Sequence, residues 1–336
     1  MTIYDISKKA GVSIATVSRV LNNSESVRPS TRKKVIDIIE ASGYTPNAFA
    51  RGLGLNTMNA VGILCADCSD MFLAKAVYFV ERELRSKGYE CILCCSGYEH
   101  QDKVDALSLL IKKHVDSIIL IGSNFLYQDD SMNDYIREAA AQIPVMILNG
   151  DFDNPNVYCT FCDDYKASVD AVSSLIAEGR THILHLYDSD SFSGRKKLSG
   201  YQSALVEHDL PVDKIYMQKY TGNRESPVEI AKFLSSISTS DFAFDGVFAS
   251  SDYLALGAMR YVRSKGLKVP EDVSIIGYNN SVLVECSDPA LSSVDNQLEQ
   301  ISTQLVNTLT SVLENNTMPQ KTVYSGVIVK RGTTID

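Results

Sequence analysis

Apolar positions follow two rhythms, one confined to residues 1–43 and the other running from residue 60 onward. In the first stretch Ile6 and Ala10 lie four apart before Gly11 breaks the run. Ser13 can N-cap a second helix ending near Leu21, in which Val17, Val20 and Leu21 share a face at i, i+3, i+4. A third helix is predicted from Pro29 or Ser30 to Gly43, a natural C-terminal glycine, burying Val35, Ile38 and Ile39. Two short helices joined by a glycine-containing turn, with a third beneath them, have the form of a helix-turn-helix. Residues 44–59 follow neither rhythm. After Tyr44-Thr45-Pro46, Asn47–Leu55 is a weakly helical piece holding Gly52 and Gly54; each internal glycine costs about 1 kcal/mol of helix relative to alanine. Such a segment becomes helical only with a partner.

From Ala60 short apolar runs alternate with amphipathic stretches. Strands are predicted at Val61–Cys65, Cys91–Cys95, Ile118–Ile121, Val145–Leu148, Ile183–Tyr187, Ile215–Met217, Gly246–Ala249 and Ser274–Tyr278. A long helix at Gln297–Leu313 and a last strand near Val323–Lys330 follow. The first intervening helix puts Leu73, Ala76, Val77, Val80 and Leu84 on one face and closes at Lys87-Gly88. Repeated βα units imply parallel sheets covered on both faces, and their number fits two α/β subdomains with a ligand cleft between them.

Composition narrows the class. In 336 residues, 45 % hydrophobic and 22 % charged, no apolar run reaches the length of a membrane helix, and Met1–Asp5 does not open like a signal peptide. The expectation is a cytoplasmic chain with eight reduced cysteines, off the membrane and on the nucleoid when bound to DNA. The net charge of −9 is unevenly spread. Residues 1–60 carry eight basic against four acidic side chains, net +4, leaving 24 against 37, net −13, for the rest. A basic head on an acidic body suggests a polyanion partner for the head alone.

The outward face of the second helix offers Ala15, Ser18 and Arg19, with Ile14 at its margin. Arginine reads guanine bidentately, hydroxyls hold phosphates and small apolar groups touch a thymine methyl. Taken alone, such a face is more often merely solvated; the turn, the third helix, the local charge and the linker reverse those odds.

At this point a resemblance emerges. Ile3-Tyr4-Asp5-Ile6, Ala10-Gly11-Val12-Ser13, Thr16–Asn22, Gly43–Asn47 and Ala50-Arg51-Gly52-Leu53 resemble the head and hinge of the lactose/galactose-repressor (LacI/GalR) family. Gly194–Tyr201, Asp252–Met259, Val273–Asn280, Pro289–Val294 and Lys330–Thr334 resemble body blocks of that family in the expected order. The resemblance implies a three-helix head (1–46), a hinge (47–58) and an effector-binding and dimerisation body (59–336) of periplasmic-binding-protein type. Its N-subdomain is expected at about 59–160 and 292–320, its C-subdomain at about 161–291 and 321–336.

It further implies a homodimer on near-palindromic double-stranded operator DNA, acting as a repressor of carbohydrate-utilisation genes. Ile14, Ala15 and Arg19 would read bases, while Tyr4, Ser13, Thr16, Ser18, Asn22, Tyr44 and Asn47 would hold phosphates or fix register. Leu53 would be a minor-groove wedge, with Ala50 and Arg51 beside it. The Ile14-Ala15 pair is closer to galactose-repressor and catabolite-control members than to the lactose repressor. No heptad tail follows Thr333-Thr334, so a dimer is expected rather than a tetramer.

The effector positions carried over by the resemblance are Asp70, Asn149, Lys197, Ser251, Asp252 and Asn279, with Phe72 and Phe161 as stacking platforms. Two carboxylates usual in the family are amides here and its arginine is a lysine. That balance shifts the cleft toward an anionic sugar acid or sugar phosphate, a neutral carbohydrate or a protein coregulator being the other options. Three Cys-x-x-Cys spacings (Cys65/Cys68, Cys91/Cys94, Cys159/Cys162) raise a metal reading. Residues three apart on a strand point to opposite faces, so these are read as strand thiols, with neither metal nor cofactor expected. His182 and His185 are read as structural or surface histidines for the same reason. No nucleophile–base constellation marks an enzyme, and the basic head argues against a solute-binding protein.

Overall fold

The computed structural model describes residues 2–21, 24, 26–43, 57–238 and 243–335. It divides into two compact units. The first is built from three helices, α1 (Ile3–Ala10), α2 (Ile14–Leu21) and α3 (Pro29–Ser42). Gly11, Ser13 and Gly43 act as the helix ends expected from the sequence, and a capping box not read there joins them. Thr2 and Asp5 form a reciprocal capping box, Gly11 ends α1 at φ +63°, and Ser13 Oγ accepts from the Thr16 amide at 3.2 Å. Gly43 closes α3 at φ +60°. Ile6, Ala10, Val17, Val20, Val27 and Val35 make a small core; Ile38 and Ile39 are only half-buried at its edge. Where the linker ends, Asp116 accepts from Thr57 Oγ1 (2.9 Å), Met58 N (3.0 Å) and Ala60 N (3.1 Å).

The second unit contains two six-stranded sheets. The N-terminal sheet uses β1 (Ala60–Cys65), β2 (Glu90–Cys95), β3 (Ser117–Ile121), β4 (Val145–Leu148), β5 (Val157–Cys162) and β11 (Lys321–Tyr324), in the order β11-β5-β4-β3-β1-β2. The C-terminal sheet uses β6 (Ile183–Tyr187), β7 (Met217–Lys219), β8 (Gly246–Ala249), β9 (Ser274–Tyr278), β10 (Ser292–Asp295) and β12 (Val327–Val329), in the order β12-β10-β9-β8-β6-β7. All registered pairs are parallel except β10 with β12. Inner strands such as β1, β3 and β9 are buried throughout, as parallel strands covered on both faces must be.

Helices α4 (Met71–Ser86), α5 (His100–Lys112), α6 (Asp134–Ala140) and α11 (Leu298–Leu313) belong with the first sheet. Helices α7 (Asp164–Ala177), α8 (Phe192–Glu207), α9 (Pro227–Ile237) and α10 (Asp252–Ser264) flank the second. Helices α7 and α8 cross so closely that a Cβ on Gly200 would lie 2.4 Å from the Tyr165 carbonyl.

Two α/β subdomains are therefore present, but the expected internal borders move. β10 lies in the C-terminal sheet beside β9, although residue 292 had been assigned to the N-subdomain. β5 runs on through Phe161 and Cys162 in the N-terminal sheet, and β11 pairs with it there, although residue 321 onward had been assigned to the C-subdomain. The single strand expected near Val323–Lys330 is two strands in different sheets, with Gly326 between them packed 2.7 Å from Ala167 at its would-be Cβ. The chain changes sheets at strand ends, where apolar pattern carries no signal. Among the described residues no helix is long and apolar enough to cross a membrane.

Candidate functional site

The C-terminal ends of the parallel strands from both sheets face one cleft of about 850 Å³. Open parallel sheets place ligands at such ends. From the N-terminal half come Asp70 and Phe72 after β1, Tyr98 after β2, Ser123 and Asn124 after β3, and Asn149 after β4. From the C-terminal half come Asp164, Asp188, Lys197, Arg224, Ser251, Asp252, Asn279 and Ser281. Asn296 lies at the crossover that follows β10.

Seven expected effector residues thus line the cleft: Asp70, Phe72, Asn149, Lys197, Ser251, Asp252 and Asn279. Phe161 does not. It is buried in β5 with its ring edge-on to Phe192 at 6.0 Å, so strand alternation turns it into packing. Sequence reasoning passed over Asp164, Asp188, Tyr98, Asn124, Arg224, Ser281 and Asn296. Asp188 could have been found as the residue immediately after a predicted strand.

Much of the C-terminal wall is bonded internally. Asp252 accepts from the Ser281 amide at 2.7 Å and from Ser293 Oγ at 2.6 Å. Burial raises its pKa, and those two hydrogen bonds work against the rise. A Cβ on Gly277 would come within 2.5 Å of the same carboxylate, so glycine there makes the room Asp252 occupies. Tyr278 donates to Asp164 Oδ1 at 2.6 Å. Ser251 caps α10 by accepting from the Leu254 amide at 3.4 Å.

Lys197 is buried, donates to the Ser250 carbonyl at 3.1 Å and stands 3.7 Å from the centre of the Tyr278 ring. Burial pulls its pKa below the ordinary lysine value, against the attraction of Asp164 and Asp188. The cation assigned to an anionic ligand is therefore already engaged within the protein. Carboxylates also dominate the lining: Asp70, Asp164, Asp188, Glu225, Asp252, Asp295 and Glu299 stand against Lys75, Lys197 and Arg224. The lining as a whole is acid-rich, the opposite of the charge balance expected from the amide and lysine positions alone. Asn149 (φ +67°) and Asn279 (φ +95°) both sit in left-handed backbone just past a strand, a conformation asparagine tolerates well. Their amide character answers to backbone geometry as well as to ligand charge.

Among the described residues, Ser123 and Arg224 make contacts across the cleft. Ser123 Oγ donates to Ser191 Oγ at 2.9 Å, and Arg224 reaches Asp70 at 3.7 Å and Asp188 at 3.9 Å, 5.5 Å from the Tyr98 ring. Several buried polar atoms on the lining have no hydrogen-bond partner within the protein: Asn124 Nδ2, Asp164 Oδ2 and Asn296 Oδ1. Buried polar groups are normally satisfied, so this clustering marks where a polar ligand fits.

On the first unit, Tyr4, Ser13, Ile14, Ala15 and Arg19 are exposed, and Thr16 and Ser18 half-buried, while Val17 and Val20 point into the core. One face of α2 thus displays the residues assigned to base and phosphate contacts. Asn22, Tyr44, Asn47, Ala50, Arg51 and Leu53 lie outside the described residues.

Residues 2–47 match the model for bacterial regulatory proteins of the lacI family, and residues 172–334 match a periplasmic binding protein-like domain. An HTH-type transcriptional regulator from Lachnoclostridium phytofermentans is 48 % identical over 334 residues, 99 % of both chains. The chain belongs to the lacI family. It is a helix-turn-helix, DNA-binding transcriptional regulator of that family, whose members are not enzymes. Catabolite control protein A of Priestia megaterium, another relative, is 32 % identical over 96 % of both chains. In fold the lacI-family chain matches a lac repressor dimer bound to operator and the anti-inducer ONPF (TM-score 0.88, 22 % identity, 100 % of this chain and 99 % of that one). It also matches the regulator CelR in complex with cellobiose (TM-score 0.70, 27 % identity, 99 % of both chains).

Proposed function

We propose that this regulator is a dimeric repressor of carbohydrate-utilisation genes, working in the cytoplasm, whose operator affinity is set by a neutral, polyhydroxylated ligand in the cleft. The observation that carries the ligand class is the set of unpartnered buried atoms on an acid-rich lining. Asp164 Oδ2 and Asn296 Oδ1 need donors and Asn124 Nδ2 needs an acceptor. A sugar hydroxyl supplies both functions; a phosphate or carboxylate supplies only acceptors and would face Asp164, Asp188 and Asp252. Because the unpartnered atoms belong to both halves, a ligand satisfying them favours one relative arrangement of the halves. A solved relative, the regulator CelR, holds cellobiose, which supports the same class.

At the DNA end, Ile14, Ala15 and Arg19 read bases, Tyr4, Ser13, Thr16 and Ser18 hold the backbone, and Leu53 wedges the minor groove at the operator centre. Hinge pairing then couples the cleft to the operator.

Thermal melting against neutral mono- and disaccharides, sugar phosphates and sugar acids tests the ligand class. A binder at a hundredfold excess over Kd stabilises by about 2.7 kcal/mol. A neutral hit abolished by Asn296→Ala and by Asp164→Asn is the expected result. Hits confined to the anions overturn the reading, and no hit anywhere points to a protein coregulator. For the head, Arg19→Ala should lose about 1–3 kcal/mol at one operator base pair; a uniform loss over all operator variants contradicts base reading.

A further inference from the structure

Three thiols that no part of the regulatory reading uses converge at the rim of the N-terminal sheet. Cys65 ends β1, Cys95 ends the edge strand β2, and Cys68 sits in the loop leading to α4. Their sulfurs lie 3.4 Å (Cys65–Cys68), 3.9 Å (Cys65–Cys95) and 2.8 Å (Cys68–Cys95) apart. Among the described residues this is the group of His, Cys, Asp and Glu side chains whose ligand atoms gather closely enough to hold a metal ion. The argument that residues three apart on a strand diverge fails here, because Cys68 lies beyond the end of β1, where the chain has already turned.

Packing does not account for the cluster. Cys65 is buried, but Cys68 and Cys95 are exposed, so the triangle opens to solvent on one side. The loop around it is held by its own hydrogen bonds: Ser96 N to the Cys65 carbonyl at 2.9 Å, Gly97 N to the Ala66 carbonyl at 2.9 Å and the Ser69 amide to Asp67 at 2.8 Å. We propose that Cys65, Cys68 and Cys95 bind a soft divalent metal ion of the zinc and cadmium class.

An ion about 2.3 Å from each sulfur needs sulfurs about 3.8 Å apart. The Cys65–Cys95 separation of 3.9 Å already meets that, and the exposed Cys68 side chain has to swing out by about 1 Å to meet it fully. Thiolate ligation selects soft ions over magnesium or calcium. A divalent ion on three thiolates leaves one net negative charge beside Asp67, whereas a monovalent ion leaves two. With three sulfurs from the protein, the fourth position faces solvent, the arrangement of an exchangeable site rather than a closed structural one.

The ion would tie the β1–α4 loop to the end of β2, and those two segments carry Asp70 and Tyr98 on the cleft wall. The site would therefore act on the wall that Arg224 meets.

The test titrates reduced full-length protein with cadmium chloride under phosphine reductant. A thiolate-to-cadmium charge-transfer band that saturates at one ion per chain is expected, with zinc competing for the site and, once the phosphine has been removed under anaerobic conditions, the two exposed thiols Cys68 and Cys95 withdrawn from Ellman's reagent. Cys68→Ser and Cys95→Ser, both at exposed positions, should each remove about a third of the band and weaken binding at least tenfold; Cys286→Ser should change neither. The absence of a saturable band, a band unaffected by both Cys68→Ser and Cys95→Ser, or thiol protection that persists without metal, as in a Cys68–Cys95 disulfide, would overturn the site.

Discussion

The two walls of the cleft are built on different principles. The C-terminal wall holds its charges inside a hydrogen-bonded network: Asp252 on Ser281 and Ser293, Asp164 on Tyr278, Lys197 on the Ser250 carbonyl and the Tyr278 ring. The N-terminal wall is sparse. Asp70 has a helix cap, Asn124 has an amide hydrogen-bond donor with no protein partner, and Tyr98 has the distant Arg224. A charged residue type says what a site could offer, but its existing partners decide what remains on offer. Lys197 looks like an anion receptor in sequence and is a structural cation in the fold.

Asp252→Ala gives the largest expected loss. It strands the Ser281 amide and the Ser293 hydroxyl in a buried site and takes a counter-charge from Lys197, so unfolding free energy should fall by about 3 kcal/mol in urea melts. If the variant melts within 1 kcal/mol of the parent, on the scale of a lost surface contact, the wall is not the rigid network described.

The C-terminal half also buries His185, stacked among Tyr187, Tyr201 and Phe248, with Nδ1 at 3.1 Å from the Phe248 carbonyl. Burial drives its pKa down to about 3 from the usual 6.5. Between those values the unfolded chain binds a proton that the folded chain refuses. The contribution is therefore complete above pH 6.5 and is lost as pH falls toward 3, by about 1.4 kcal/mol per pH unit at most. His185→Phe, which keeps the stack, should flatten the acid limb of a stability–pH curve between pH 6 and 4 relative to its own value at pH 7. An acid limb as steep as the parent's would assign the loss to other groups.

Legibility followed the range of the interaction. The head could be read because each signal is local: Gly11 and Gly43 at helix ends, Ser13 as a cap, Val17 and Val20 on the buried face. Most strands could be read because full burial writes a continuous apolar run. Where the chain passes between sheets the reading failed, since Gly326 marks the change with no pattern of its own and β5 and β10 were missed. Phe161 was misplaced because a strand residue's face depends on register. The thiol triangle was dismissed because Cys95 arrives from a neighbouring strand, thirty residues away from Cys65. The free atoms Asn124 Nδ2 and Asn296 Oδ1 could not be foreseen, as a lack of partners is a property of the folded whole.

The sparse wall predicts smaller effects. Asp70 Oδ1 accepts from the Leu73 amide at 2.9 Å as the N-cap of α4, and capping residues replaced by alanine cost about 1 kcal/mol. Asp70→Ala should therefore lose about a third of what Asp252→Ala loses, although both carboxylates line the same cleft. Equal losses would erase the distinction between the walls.

Arg224→Gln should barely alter stability, and its value lies in how the small effect responds to salt. The guanidinium spans from the C-terminal half to Asp70 at 3.7 Å while staying 3.9 Å from Asp188, and its side chain is 42 % exposed. Pairs of that length and exposure contribute between zero and about 1 kcal/mol, so a loss near 0.5 kcal/mol is expected, equivalent to about a twofold change in an equilibrium between open and closed clefts. Screening at 1 M salt should bring parent and variant together, because the Debye length there is about 3 Å. Melts and scattering profiles of the two proteins at low and high salt measure this directly. A difference that persists at high salt, or one above 2 kcal/mol, would show that Arg224 is built into the wall as firmly as Lys197, and that the two walls are less unlike than their bonding suggests.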